Sequence, residues 1–245
     1  TVPKNTTQAH PNMQSSPTPA PTSLAEQWST QGFVSLPQIL APAELESLSL
    51  PLLAQGAQGG SRNLLQERWC AQLAQQLRQH PRMAPLIGAQ SVAVQCTYFE
   101  KSADRNWLVA LHQDLSIPVA EQVPAAGLRG WSQKQDCWFV QAPAVLLSQL
   151  VAVRLHFDDC SSDDGPLRVV PGSHQQAILS PEQAQQWRSR QSEEVCTAHC
   201  GDVLVLRPLL LHASSKGRGH SRRRVLHFLY GPSEPGYGLR WACIA

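Results

Sequence analysis

Residues 107–115, WLVALHQDL, form an apolar run of strand length that closes on His112, Gln113 and Asp114. In a strand, residues i and i+2 face the same way, so His112 and Asp114 are expected to point into a barrel while Gln113 points out. Comparable segments lie on both sides: SVAVQCTYF (91–99), AVLLSQLVAVRLHF (144–157), PLRVVPG (166–172), DVLVLRPLLLHA (202–213) and RRRVLHFLYG (222–231). Gly, Pro, Asp and Ser punctuate them, as expected for many short strands.

The pattern before Gly88 is helical. LAEQWSTQ (24–31) reads as a short helix, and GFVSLP (32–37) as a brief strand closed by Pro37. Ala41 to Leu50 returns to helical spacing, with Pro42 near its start, where a missing N–H costs little. Asn63 is placed to cap a helix reaching about Arg78, with Leu64, Leu65, Trp69, Leu73 and Leu77 near one face and Pro81 ending it. Helices followed by many short strands predict a mainly β chain: a sandwich or barrel with an N-terminal helical cover. A helical insert is expected at Pro181–Gln191.

The 245 residues carry a net charge of +2, too small to imply a polyanionic partner. The seven scattered cysteines suit free thiols in a reducing compartment, which points to a cytoplasmic protein. Cys196-Thr-Ala-His-Cys200 lacks a second cluster to complete a zinc site. No apolar run approaches a membrane span. Residues 1–23 lack the apolar region of a complete signal peptide and read as a disordered tail rich in Pro, Thr, Ser, Asn and Gln. Residues 24–245 are then expected to form one domain.

Two imidazoles and a carboxylate, His112, Asp114 and His212, are the ligand set of a facial non-haem iron(II) site. Three protein ligands leave three octahedral positions for a bidentate cosubstrate and oxygen. HxD alone is weak, and His156-Phe-Asp158 is a second instance that also precedes His212. It reads equally as a polar strand pair, with Arg154 and Asp158 ion-paired. Spacing does not choose between the two, but context favours the first, because His156 runs straight into the hairpin-like DDCSSDDGPLRVVPGSH. Arg223 shares a strand face with Val225 and His227. One arginine inside a barrel needs an anion, and a planar guanidinium matches a carboxylate bidentately. Ser214 is placed to add a hydroxyl to that carboxylate, or is a turn serine. KGRGHSRRR could instead be a solvated basic loop, but without interleaved aromatics it makes a poor nucleic-acid surface.

Together, QGFVSLP, NWLVALHQD, DGPLRVVPGSH, GDVLVLRPLLLHASS and RRRVLHF resemble the phytanoyl-CoA dioxygenase family of Fe(II)- and 2-oxoglutarate-dependent oxygenases, over nearly all of Leu24 to the C-terminus. The resemblance implies a double-stranded β-helix (a cupin-like jelly roll) with His112, Asp114 and His212 as iron ligands. It places the 2-oxoglutarate arginine at Arg223, with Arg222 and Arg224 leaving the register open by one. Family members often carry Ser or Thr where this chain has Ser214. Related halogenases have Gly or Ala where this chain has Asp114, so halogenation is disfavoured. The implied cofactors are Fe(II), 2-oxoglutarate and O2, and the implied reaction is hydroxylation of a small-molecule substrate coupled to oxidative decarboxylation. The family is broad in substrate, so its name is no evidence for phytanoyl-CoA here.

Tyr98, Lys101, Asn106 and Trp107 precede the metal motif and are candidate pocket residues, with Asn106 a candidate cosubstrate contact or a turn residue. Leu115 to Ala142 is long and turn-rich and suggests a lid carrying Trp131 and Trp138. The competing function class is a non-catalytic jelly roll that holds a metal or small acid.

Overall fold

The computed structural model describes residues 23–56, 61–218 and 222–245, so the expected N-terminal tail lies outside it apart from Ser23. Helix α1 (Leu24–Gln31) starts where the Ser23 hydroxyl accepts the Glu26 N–H and stops at Gly32, whose φ of 81° suits a left-handed C-cap. β1 (Phe33–Leu36) follows as the sequence predicts, and α2 (Pro42–Gly56) starts where expected but runs on past Leu50. The third helical segment differs. Leu64–Gln66 is a single 3-10 turn, and α3 (Arg68–Gln79) begins only after Glu67. Asn63 does not cap it, because its amide donates to the Gln135 carbonyl and its backbone bridges to Cys96. Cys70, Leu73, Ala74 and Leu77 make the buried stripe of α3. A short α4 (Ala84–Ile87) leads into the strands.

The strands are β2 (Ser91–Lys101), β3 (Val109–His112), β4 (Ser116–Val119), β5 (Arg129–Lys134) and β6 (Cys137–Gln141). After the helical turn α5 (Ala144–Leu147) come β7 (Val151–His156) and β8 (Leu167–Val169). Helix α6 (Pro181–Arg190) carries a Ser180–Gln183 capping box, and β9 (Glu194–Cys196), β10 (Val203–Leu206), β11 (His212–Ser214) and β12 (Arg223–Pro232) complete the chain. Two apolar runs that look continuous in sequence are broken. Pro143 opens a helical turn before β7, so 144–157 is a turn and a strand. Pro208, with no N–H to give a ladder, sits in the crossing between β10 and β11, which lie in different sheets.

The larger sheet has the order β1-β10-β7-β12-β2 and the smaller β3-β11-β8-β9, all antiparallel. This is the jelly roll expected above. The outer face of the larger sheet buries Val34, Cys96, Val153, Leu226 and Phe228 against the helices, and the Tyr230 hydroxyl donates to the Ala74 carbonyl of α3. The inner face packs Phe33, Ala152, Leu204, Leu206 and Leu229 against Leu167 and Val169 of the smaller sheet. The expected lid is no loop, because β4, β6 and β5 form a three-stranded sheet whose Ile117, Val119 and Val140 join the inner core. Trp131 and Trp138 are partly buried against that core.

Asp114 lies beyond the end of β3, where its N–H donates to the Pro208 carbonyl at 2.8 Å. Gln113 does not point to solvent. Its amide donates to the carbonyls of Ala177 (2.7 Å) and Leu209 (2.6 Å) and accepts the Leu179 N–H (2.8 Å). Gln113 does turn away from the cavity that His112 and Asp114 line, but it is spent clamping two crossing loops. Gln113→Leu strands those three partners and is expected to lower the unfolding free energy by about 2–4 kcal/mol. Urea denaturation measures this, and an unchanged midpoint would show that the clamp carries no stability.

Candidate active site

The β3–β11 pairing sets His212 directly opposite His112. Asp114 reaches both, with its Oδ1 3.5 Å from His112 Nε2 and its Oδ2 3.6 Å from His212 Nε2. Both Nδ1 atoms lie 2.8 Å from the carbonyl two residues earlier, Ala110 for His112 and Leu210 for His212. A carbonyl can only accept, so each Nδ1 carries the proton and each Nε2 presents a lone pair toward Asp114. That is the tautomer of a metal-binding imidazole with its outer N–H fixed. Burial works against charge on Asp114, yet His212 and the His112 hydrogen bond hold its carboxyl well below the usual range. Burial lowers His212, with Asp114 pulling the other way, while at His112 burial is the largest single effect but the hydrogen bond and charge of Asp114 and the backbone hydrogen bonds together outweigh it and raise the imidazole. The three ligand atoms lie within 4.8 Å of one another, the one such group among the described residues. This donor set, all nitrogen and carboxylate oxygen, suits Fe(II).

The triad opens on a cavity of about 270 Å³. Arg223 lies in its wall, 4% exposed, opposite Lys101 on β2. Its Nη1 donates to the Gly165 carbonyl at 2.6 Å, and its Nε has no partner among the described residues. Lys101 Nζ donates to Ser214 Oγ (2.9 Å) and to the Ser215 carbonyl (2.7 Å), and lies 5.6 Å from the centroid of Trp107. Arg223, Lys101 and Ser214 therefore make a buried, cationic, hydroxyl-bearing corner that fits a carboxylate. Gly165 (φ 64°) must be glycine, since a Cβ would stand 2.5 Å from the Ser215 carbonyl oxygen.

The arginine register is now plain. Arg222 turns outward to Glu100 (3.0 Å), and Arg224 pairs with Asp158 through contacts of 2.8 and 2.6 Å. Asp158 is thus outside the cavity, and its expected partner Arg154 points inward instead. His156 is buried, and burial with Arg154 pulls it down to about 3. The second HxD does not assemble with His212. Asn106 is not among the cavity-lining residues. Its side chain donates to the Gly217 carbonyl and accepts the Gly217 N–H, at 2.7 and 2.8 Å, fixing the loop whose Ser215 carbonyl holds Lys101. Tyr98 packs on the helical side, whereas Lys101 and Trp107 do line the cavity. Cys196 and Cys200 are free thiols, with Cys200 facing the Phe157 carbonyl.

Of the two further inward cations, Lys101 was expected among the pocket residues, whereas Arg154 was expected only in an ion pair with Asp158. Lys101 is in phase with Thr97 and Phe99 on β2, and Arg154 with His156 on β7, so alternation along the finished strands would have found both. Burial, then the charges of Arg223 and Arg154, pull Lys101 from 10.5 down to about 8. A folded pKa below the unfolded one means the charged lysine costs stability below pH 8, and that cost vanishes as pH rises toward 10.5. Lys101→Met is therefore expected to gain most over the wild type below pH 8, with the difference shrinking up to pH 10.5. Chemical denaturation of both proteins across that range tests it, and a constant difference would show that Lys101 titrates normally.

The family model for phytanoyl-CoA dioxygenase (PhyH) matches residues 28–225. No curated protein matches the chain. Several solved structures share the fold. The non-heme alpha ketoglutarate dependent carbocyclase SnoK from nogalamycin biosynthesis is 16% identical with a TM-score of 0.64, covering 86% of this chain and 85% of SnoK. The epimerase SnoN, in complex with Fe3+, alpha ketoglutarate and nogalamycin RO, is 14% identical at TM-score 0.63, with coverages of 86% and 82%. HygX from Streptomyces hygroscopicus, with nickel and 2-oxoglutarate bound, is 19% identical at TM-score 0.58 and covers 84% of each chain. With a family model spanning most of its length and the jelly roll in place, this chain belongs to the phytanoyl-CoA dioxygenase family.

Proposed function

We propose that the protein is an Fe(II)- and 2-oxoglutarate-dependent oxygenase that hydroxylates an unactivated C–H bond of a small metabolite or acyl-type substrate. The observation that carries this reading is a facial His112–Asp114–His212 triad sharing one cavity with a buried carboxylate corner. His112, Asp114 and His212 would hold Fe(II). Lys101, Ser214 and Arg223 would hold the C5 carboxylate of 2-oxoglutarate. Bound iron and cosubstrate supply the oxidising chemistry: O2, 2-oxoglutarate and a substrate C–H become succinate, CO2 and a C–OH.

The residues of the chain do the positioning. The Ala110 and Leu210 carbonyls hold the two imidazoles with Nε2 presented. Gly165 and Cys160 hold the Arg223 guanidinium from behind, and Asn106 fixes the loop under Lys101. Phe139 and Ile117, from the sheet over the strand ends, give the cavity an apolar wall that excludes water from the reacting centre. Solved structures of the same fold include a carbocyclase and an epimerase, so the product, not the fold, is the measure of which oxidation follows.

The three consecutive arginines give the test. Each charged hydrogen bond is worth roughly 1.5–3 kcal/mol, so Arg223→Ala is expected to weaken 2-oxoglutarate binding to the metal-loaded protein by about one to three orders of magnitude. Arg223→Lys rescues poorly, because it offers a point charge instead of a fork. Arg222→Ala and Arg224→Ala leave the affinity near wild type. A large loss at Arg222 or Arg224 with Arg223→Ala unaffected would overturn the assignment, and the absence of succinate with any substrate would favour the non-catalytic binding protein.

A further inference from the structure

The metal site and the carboxylate corner leave one buried cation of the cavity unused. Arg154 is 8% exposed and projects from β7 into the cavity. Its Nη1 lies 3.0 Å from His227 Nδ1, and its guanidinium carbon sits 5.6 Å from the centroid of Phe99. Its Nε has no partner among the described residues. His227 cannot neutralise it. Burial and Arg154 itself pull that imidazole down to about 3, so it is a neutral acceptor. With Nη1 spent on His227 and Nε buried, Nη2 is the guanidinium nitrogen left to meet an anion in the cavity.

Charge balance points the same way. Asp114 is the only acidic residue lining the cavity among the described residues, against buried Lys101, Arg154 and Arg223 and the outer Arg62 and Lys134. A divalent metal, Asp114 and a cosubstrate dianion carry one net negative charge between them, which cannot balance three buried cations. The cosubstrate has no third carboxylate to offer: one end lies on Lys101, Ser214 and Arg223, and the other belongs to the metal. An unpaired buried charge is costly, so a guanidinium kept there awaits an anion.

Resting on the oxygenase reading, we propose that Arg154 recognises a carboxylate of the substrate, so that this enzyme oxidises an organic acid. Arg154, steadied by His227 and Phe99, meets the carboxylate through Nη2. The apolar side of the cavity, with Phe99, Ile117, Phe139 and Leu167, takes the carbon body of the acid.

The test uses protein loaded anaerobically with Fe(II) and saturating 2-oxoglutarate, which fills the Arg223 corner. Hexanoate and phenylacetate are titrated calorimetrically beside their neutral amides, hexanamide and phenylacetamide. The wild type is expected to bind the acids at least about tenfold more tightly than the amides. Arg154→Met abolishes that preference, Arg154→Lys keeps part of it, and 2-oxoglutarate affinity in Arg154→Met moves by less than about threefold. Without metal or cosubstrate, Arg154→Met is expected to melt at a higher temperature than the wild type, since it removes an uncompensated buried charge, whereas a purely structural arginine would make it melt lower. Equal binding of acids and amides by the wild type, or a preference that survives Arg154→Met, overturns the proposal. So does a loss of 2-oxoglutarate affinity as large as that of Arg223→Ala, which would give Arg154 to the cosubstrate. If Arg154→Met fails to fold, the acid–amide comparison in the wild type decides alone. Failure of the wild type to bind 2-oxoglutarate in a metal-dependent way removes the oxygenase reading itself, whereas the other adverse results concern Arg154 only.

Discussion

The antiparallel register that puts His212 across from His112 is the constraint on which the rest of this structure depends. A slip of one residue would turn either imidazole to the opposite face and dismantle the triad. Several features hold that register. The Asp114 N–H bonds to the Pro208 carbonyl in the crossing that leads to β11, and Gln113 ties the same crossing to the loop at Ala177–Leu179, while the carbonyls of Ala110 and Leu210 set the orientation of the two rings locally. On its other edge β11 pairs with β8, with Ser214 opposite Leu167, and this brings the Gly165 turn to Arg223. The candidate metal ligands, the corner proposed for the cosubstrate and the backbone clamps thus belong to one hydrogen-bonded assembly.

Three buried cations in one cavity are an electrostatic burden that the fold must offset elsewhere. The offset lies across the larger sheet. Its outer face packs against α1, α2 and α3 in a continuous apolar cluster that includes Trp28, Leu73, Leu77, Phe228 and Tyr230. One side of the sheet supplies stability and the other spends some of it on a site poised for anions. Burial lowers Arg154 to about 10, with Arg223 adding to the effect, as expected when like charges share a confined space.

Much of this was legible from the sequence. Strand-length apolar runs after helical segments predict a sandwich or barrel with a helical cover, and the family resemblance adds the jelly roll, the grouping of His112 and Asp114 with His212, and Arg223 among the three arginines. What stayed hidden depends on where runs break. Pro208 splits 202–213 between two sheets, and Pro143 turns the start of 144–157 into a helical turn, neither visible from hydrophobicity alone. Gln113 faces away from the cavity as alternation predicts, but its burial was not legible, because the amide is claimed by loops distant in sequence. Asn106 likewise serves the Gly217 backbone, a contact across 111 positions. Lys101 was expected among the pocket residues, but Arg154 was readable only as a charge, because strand phase is known only once pairing is known. The Leu115–Ala142 stretch looked like a lid because its turns outnumber its obvious strands, yet β5 and β6 close through Gln135 and Asp136 at positive φ, a turn that non-glycine residues form when the pairing supports it.

The central claim is that His112, Asp114 and His212 hold an iron on which 2-oxoglutarate chelates. Anaerobic titration of Fe(II) and then 2-oxoglutarate, followed by visible absorption, tests it most directly. The account predicts a weak metal-to-ligand charge-transfer band in the wild type and in Asp158→Ala, and none in Asp114→Ala. A band that persists in Asp114→Ala and disappears in Asp158→Ala, or no band in the wild type, would contradict it.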